Sequence, residues 1–164
     1  MRILSCSAAL AALVAFLGCA SHPPYALNET VGPSHPRASR PGGKGGLIVY
    51  SASEVVDQAE SFFPTHSGYT IYLPDGQRLR KVDNRTGSFD QEPVTVTLPA
   101  GEYSLRARAT NVGWVSVPVV IQAGRTTVVH LDGRRRASQG AASADHWVRL
   151  PDGQIVGSRA DQGG

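Results

Sequence analysis

Few side chains in this chain have the type and spacing for chemistry. Cys6 and Cys19 are the two thiols, and both fall in one N-terminal apolar stretch. The histidines are His22, His35, His66, His130 and His146, and none stands at metal-ligand spacing from another His, Cys or carboxylate. A zinc site needs about four convergent ligands, so no metal is expected. Asp83, Asn84, Asp90 and Glu92 flank one loop and could offer oxygens to calcium. They lack the alternating acidic pattern that wraps ligands around one ion, which makes polar loop residues the simpler reading. No Gly-x-Ser-x-Gly, phosphate loop or dinucleotide fingerprint is present, and no nucleophile–base pair can be named. Catalytic residues and cofactors are therefore not expected, and the chain reads as a non-enzyme. Aromatic rings are the better clue to binding. If Leu47 and Val49 face inward then Tyr50 faces outward, and the same logic turns Tyr72 and Trp114 outward. Such rings can stack on sugars or fill a partner's pocket, or they can be covered by a connecting loop or terminal hairpin.

The thiol of Cys19 gains meaning from its surroundings. Residues 1–18 carry one charge, Arg2, followed by an apolar run ending Phe16-Leu17-Gly18. A basic start, an apolar middle and a small residue before the cut form the layout of a secretory signal. The run is too short, and too broken by Ser5, Cys6 and Ser7, for a transmembrane helix of about 20 apolar residues. Gly18-Cys19 resembles the cleavage site of a bacterial lipoprotein signal, although Phe16 and Leu17 stand where the usual pattern has Leu and a small residue. The resemblance implies that Cys19 is lipidated and becomes the first mature residue, anchoring the protein to a membrane. Ala20-Ser21 has no aspartate after the cysteine, which implies outer-membrane sorting in a host with two membranes. Without the resemblance, an ordinary cleaved signal would leave Cys19 as an unpaired thiol.

Composition limits what the remainder can be. Residues 19–164 make one ordinary domain plus tails. The net charge of +3 is too small for the concentrated basic footprint of a nucleic-acid binder. Lipidation of Cys19 would leave no thiol for a disulfide, so the fold must stand on its hydrophobic core. Residues 19–45 are rich in Pro, Ser and Gly without apolar periodicity, and are expected to form a disordered tether.

Period-two alternation begins at Gly46. The runs 47–51, 69–73, 78–82, 94–98, 103–109, 115–121 and 126–131 read as strands separated by turn signals. Seven short strands at this spacing predict an all-β fold, a seven-stranded antiparallel β-sandwich of prealbumin or Ig-like type over 46–132. Pro118 is expected on an edge strand or bulge. Residues 52–68 read as a long connection with one or two helical turns. Residues 133–145, including Arg134-Arg135-Arg136, read as a solvated linker, or as cations that meet anionic lipid or polysaccharide. Residues 146–164 read as a C-terminal hairpin and tail. Leu150-Pro151-Asp152-Gly153-Gln154 repeats Leu73-Pro74-Asp75-Gly76-Gln77, which predicts two hairpins with one turn design. A lone hairpin is marginal in water, so the second must dock on the sandwich or on a partner.

Asn84-Arg85-Thr86-Gly87-Ser88-Phe89, then Leu98-Pro99-Ala100-Gly101-Glu102-Tyr103, then Ala123-Gly124-Arg125-Thr126-Thr127-Val128 carry a further likeness. This stretch resembles the carboxypeptidase-regulatory-like (transthyretin-like) β-sandwich domain, with Ser88 to Pro93 as extra residues before the Leu-Pro turn. The resemblance implies a non-catalytic accessory module, and no functional residues carry over from it. The expected function is a lipid-anchored envelope protein that presents a binding or structural surface to an envelope protein or glycan. The alternative is a carbohydrate-binding module at the cell surface.

Overall fold

Alternation decides which way each long strand faces. In β9 (Gly101–Ala109), Tyr103, Leu105, Ala107 and Ala109 are buried, while Ser104, Arg106 and Arg108 point the other way. In β10 (Gly113–Ile121), Val115, Val117, Val119 and Ile121 are buried opposite Trp114, Ser116, Pro118 and Val120. The two pair antiparallel along their whole length. These coordinates are a computed structural model that describes residues 24–33, 42–58, 61–84, 92–135 and 146–160, with the backbone alone for 54–58 and 61–64. Cys19, His22, His35, Asp90 and most of the expected 133–145 linker lie outside the described residues.

The described residues are all-β, in open mixed sheets. The remaining strands are β1 (Tyr25–Ala26), β2 (Val31–Gly32), β3 (Lys44–Tyr50), β4 (Ser53–Gln58), β5 (Ser61–His66), β6 (Tyr69–Tyr72), β7 (Arg78–Val82), β8 (Val96–Pro99), β11 (Thr126–His130), β12 (Trp147–Arg149) and β13 (Ile155–Arg159). The larger sheet runs β12-β13-β2-β10-β9-β6-β7, with β1 also on β10. The smaller runs β11-β3-β8, and β4 and β5 form a separate hairpin. Leu47, Val49, Leu98 and Val129 of the small sheet join Ile71, Leu105, Val117, Val148 and Val156 of the large one in a single buried cluster. Each fully buried aliphatic chain contributes about 1.5–3 kcal/mol, which is how the described fold is held.

Four expectations need correcting. The strands are not uniformly antiparallel, because β1 and β2 run parallel to β10 and β11 runs parallel to β3. Side-chain alternation is blind to strand direction, which here follows from the chain switching sheets after Ile121 and restarting beside Gly46. The expected tether is partly built into the fold. Val31 and Gly32 are buried, and residues 25–32 lie along β10 with Leu27 N–H donating to the Ser116 carbonyl at 2.9 Å. Two-residue strands show no periodicity of their own and form because β10 offers an unpaired edge. The described residues of the 52–68 connection form the β4–β5 hairpin in place of helical turns, with Ser53 opposite His66 and Gln58 opposite Ser61. Val55, Val56, Phe62 and Phe63 are β-formers, and Pro64 is poorly suited to a helix interior. Pro118 lies within an interior strand, at the break between the β1 partners Val115 and Ser116 and the β2 partner Val119.

The repeated pentapeptide folds twice into one design. Leu73 N–H donates to Gln77 O at 2.9 Å and Gly76 N–H to Leu73 O at 2.9 Å; Leu150 with Gln154 and Gly153 with Leu150 make the same bonds at the same lengths. Asp75 and Asp152 each accept the backbone N–H two residues on, at 2.9 and 3.1 Å. Gly76 and Gly153 have φ of 82° and 81°, a left-handed conformation that glycine adopts without steric cost. The two turns differ in setting. The first projects with Gln77 exposed, whereas Gln154 is buried. The C-terminal hairpin docks: β13 pairs with β2, and Gly157 is packed so closely that a Cβ would sit 2.5 Å from Val31 Cγ1 and 2.9 Å from the Val128 carbonyl.

Candidate binding face

The outward side of the large sheet is where the predicted rings and the cations meet. Register places Trp114 across from Arg108, Ser116 across from Arg106, and Pro118 across from Ser104. On the next strand Thr70 lies opposite Arg106 and Tyr72 opposite Ser104. Lys81 and Arg78 of β7 continue those two rows. Trp114 keeps 46% of its surface exposed, with the Arg106 guanidinium 5.6 Å from its ring centroid. That spacing suits a cation–π contact in which the arginine also covers part of one ring face. Trp114, Arg108, Lys81, Thr70 and Asp83 border an open depression of about 830 Å³. A second, of about 500 Å³, is bordered by Tyr72, Pro74, Tyr103, Arg106 and Pro118.

Of the three predicted rings, the fold brings two to one face. Tyr72 is four rows and two strands from Trp114, which is about 13 Å along the strands and about 10 Å across them. An extended ligand spans that gap and a single sugar ring does not. Tyr50 belongs to the small sheet, half-buried. It stacks on His130 at 4.8 Å and 10°, and meets His66 edge-on at 5.6 Å and 85°. Burial lowers the pKa of His130, with Arg135 adding to the effect and Asp132 opposing it.

Beneath Tyr50 lies a buried polar network. His66 Nδ1 donates to Ser51 O at 2.7 Å, and Ser51 Oγ donates to Ser67 O at 2.5 Å. Asn84 Nδ2 reaches Val49 O at 2.7 Å and Ser51 Oγ at 3.1 Å, while its Oδ1 accepts Val94 N–H at 3.1 Å. Serine and histidine are close here, but each is bonded to a backbone carbonyl, so the arrangement ties strands together and activates no nucleophile. Asn84 is a strand clamp rather than a calcium ligand. Among the described residues no group of three or more His, Cys, Asp or Glu converges on a point.

Two contributors were not singled out by sequence reasoning. Arg106 and Arg108 were legible only as the polar half of an alternating strand. Tyr25, 46% exposed, falls in the stretch expected to be a tether; as the register partner of inward-facing Val115 it lies on the side of the sheet away from Trp114. Comparison with family models, with curated proteins and with solved structures returns no match.

Proposed function

We propose that the chain is a non-enzymatic, lipid-anchored envelope protein whose β-sandwich presents the outward side of its large sheet as a binding or structural surface.

 The anchor is a lipid on Cys19 at the outer membrane, and the partner is an envelope protein or a glycan. What supports the anchor is Gly18-Cys19 closing an apolar run with a single basic residue before it. No helix among the described residues is long and apolar enough to cross a membrane. What supports the sandwich is the one buried cluster shared by the inward sides of both sheets. The transthyretin-like reading draws on the arch from Leu98 to Tyr103, where the Tyr103 hydroxyl donates to the Pro99 carbonyl at 3.0 Å and holds the crossing between sheets.

The observation that carries the binding role is Trp114, a large ring left exposed among cations on an open sheet face. Cys19→Ser tests the anchor: the variant is expected in the soluble fraction, and its continued sedimentation with membranes would refute anchoring. The second reading, a carbohydrate-binding module, is favoured by the ring pair Tyr72 and Trp114 on one face. Quenching of Trp114 fluorescence by envelope polysaccharide, lost in Trp114→Ala, is its expected sign; no response across a glycan panel would count against it.

A further inference from the structure

We infer that the outward face of the large sheet around Trp114 docks on the anionic phospholipid surface that holds the anchor. The inference rests on the reading that Cys19 is acylated, and it names the partner of the face described above. The chain between Cys19 and the domain is short. A tether spanning 19–45 would extend up to about 90 Å, but the chain is already laid against β10 at Tyr25. From Cys19 to Pro24 there are five chain steps, at most about 18 Å when fully extended. A lipid on Cys19 therefore holds the β1 edge of the domain close to the headgroups.

That edge adjoins a face suited to headgroups. Trp114 is 46% exposed on the outward face, beside the β1 pairing; Tyr25, equally exposed, pairs with inward-facing Val115 and so lies on the other side of the sheet. Tryptophan favours the membrane interface, where its apolar ring and polar edge are both satisfied. Arg106, Arg108, Lys81 and Arg78 extend from Trp114 across this face, with Asp83 and Glu102 as the carboxylates bordering its two depressions. The excess of cations complements anionic headgroups, whose attraction falls off within a Debye length and so acts only on a surface held this close. Short reach, an interfacial ring and positive charge coincide on one face.

The test uses the acylated full chain carrying Trp147→Phe, so that Trp114 alone reports, in phosphatidylcholine vesicles with and without phosphatidylglycerol. With phosphatidylglycerol, Trp114 emission is expected to shift to the blue and to be quenched by bromine-labelled acyl chains. Arg106→Gln and, separately, Lys81→Gln should each lower the ratio of docked to undocked protein about fivefold. Vesicle-bound protein whose Trp114 stays as open to acrylamide as in the soluble Cys19→Ser chain would overturn the docking and leave the anchor standing. Protein that fails to float with vesicles would overturn the anchor and the docking with it. Trp114 that stays open on vesicles and is then quenched by added polysaccharide would assign the face to a glycan instead.

Discussion

Replacing Asn84 by alanine tests whether one buried amide ties β3 to the chain entering its neighbour β8. Asn84 is 2% exposed, donates to Val49 O at 2.7 Å and accepts Val94 N–H at 3.1 Å. Its third bond, to Ser51 Oγ at 3.1 Å, matters less because that hydroxyl keeps Ser67 O as its own acceptor. The substitution thus strips partners from two interior backbone groups. Leaving a buried donor or acceptor unpaired costs about 1–3 kcal/mol each, and the two together give a loss of about 3–4 kcal/mol. With a urea slope of about 1–3 kcal/mol per molar, the midpoint should fall by about 2 M at unchanged slope. The assay is urea unfolding of the Cys19→Ser chain followed by tryptophan fluorescence, with Asn28→Ala, at an exposed position, as the control. A midpoint for Asn84→Ala within about 0.3 M of the parent, the range expected of surface substitutions, would refute the clamp.

Three further outcomes are expected. Gln154 is 1% exposed and its Nε2 donates to His130 O at 3.0 Å, so Gln154→Ala should cost about 2 kcal/mol, whereas Gln77→Ala in the exposed copy of the turn should stay within about 0.5 kcal/mol; urea midpoints compare them. Gly157→Ala places a methyl against Val31 and the Val128 carbonyl, and should destabilise by about 1–3 kcal/mol, read as faster amide exchange in β12 and β13. His130 has a folded-state pKa lowered from 6.5, so below that pH the unfolded chain binds a proton that the folded chain does not. Stability should accordingly fall as pH drops through 6.5 toward the folded-state value, and His130→Gln should remove that part of the slope in urea midpoints taken between pH 7.5 and 5.5.

The legible part of this fold is the part carried by alternation and turn chemistry. Val115, Val117, Val119 and Ile121 against Trp114, Ser116 and Pro118 announce β10, and the two Leu-Pro-Asp-Gly-Gln copies announce two like hairpins. Strand direction, by contrast, leaves no mark on a period-two pattern, so the parallel pairs β11–β3, β1–β10 and β2–β10 were hidden. Residues 24–33 were hidden for another reason. Their order comes from an edge of β10 more than 80 positions along the chain, and local composition there speaks only of turns. The binding face was half legible. Trp114 and Tyr72 were readable as outward rings, but bringing them to one sheet face, and Arg106 to within 5.6 Å of the Trp114 ring centroid, required the β6-β9-β10 order. Tyr50 shows the opposite case: its outward orientation was readable, while its cover by His66 depends on a hairpin that periodicity did not reveal.

The central claim is that Cys19 carries the lipid that holds this domain to a membrane. Intact-mass measurement of the protein extracted from membranes tests it most directly. The account predicts a chain of residues 19–164 bearing acyl groups confined to a Cys19-terminal peptide. An unacylated chain, or one that still begins at Met1, would contradict it.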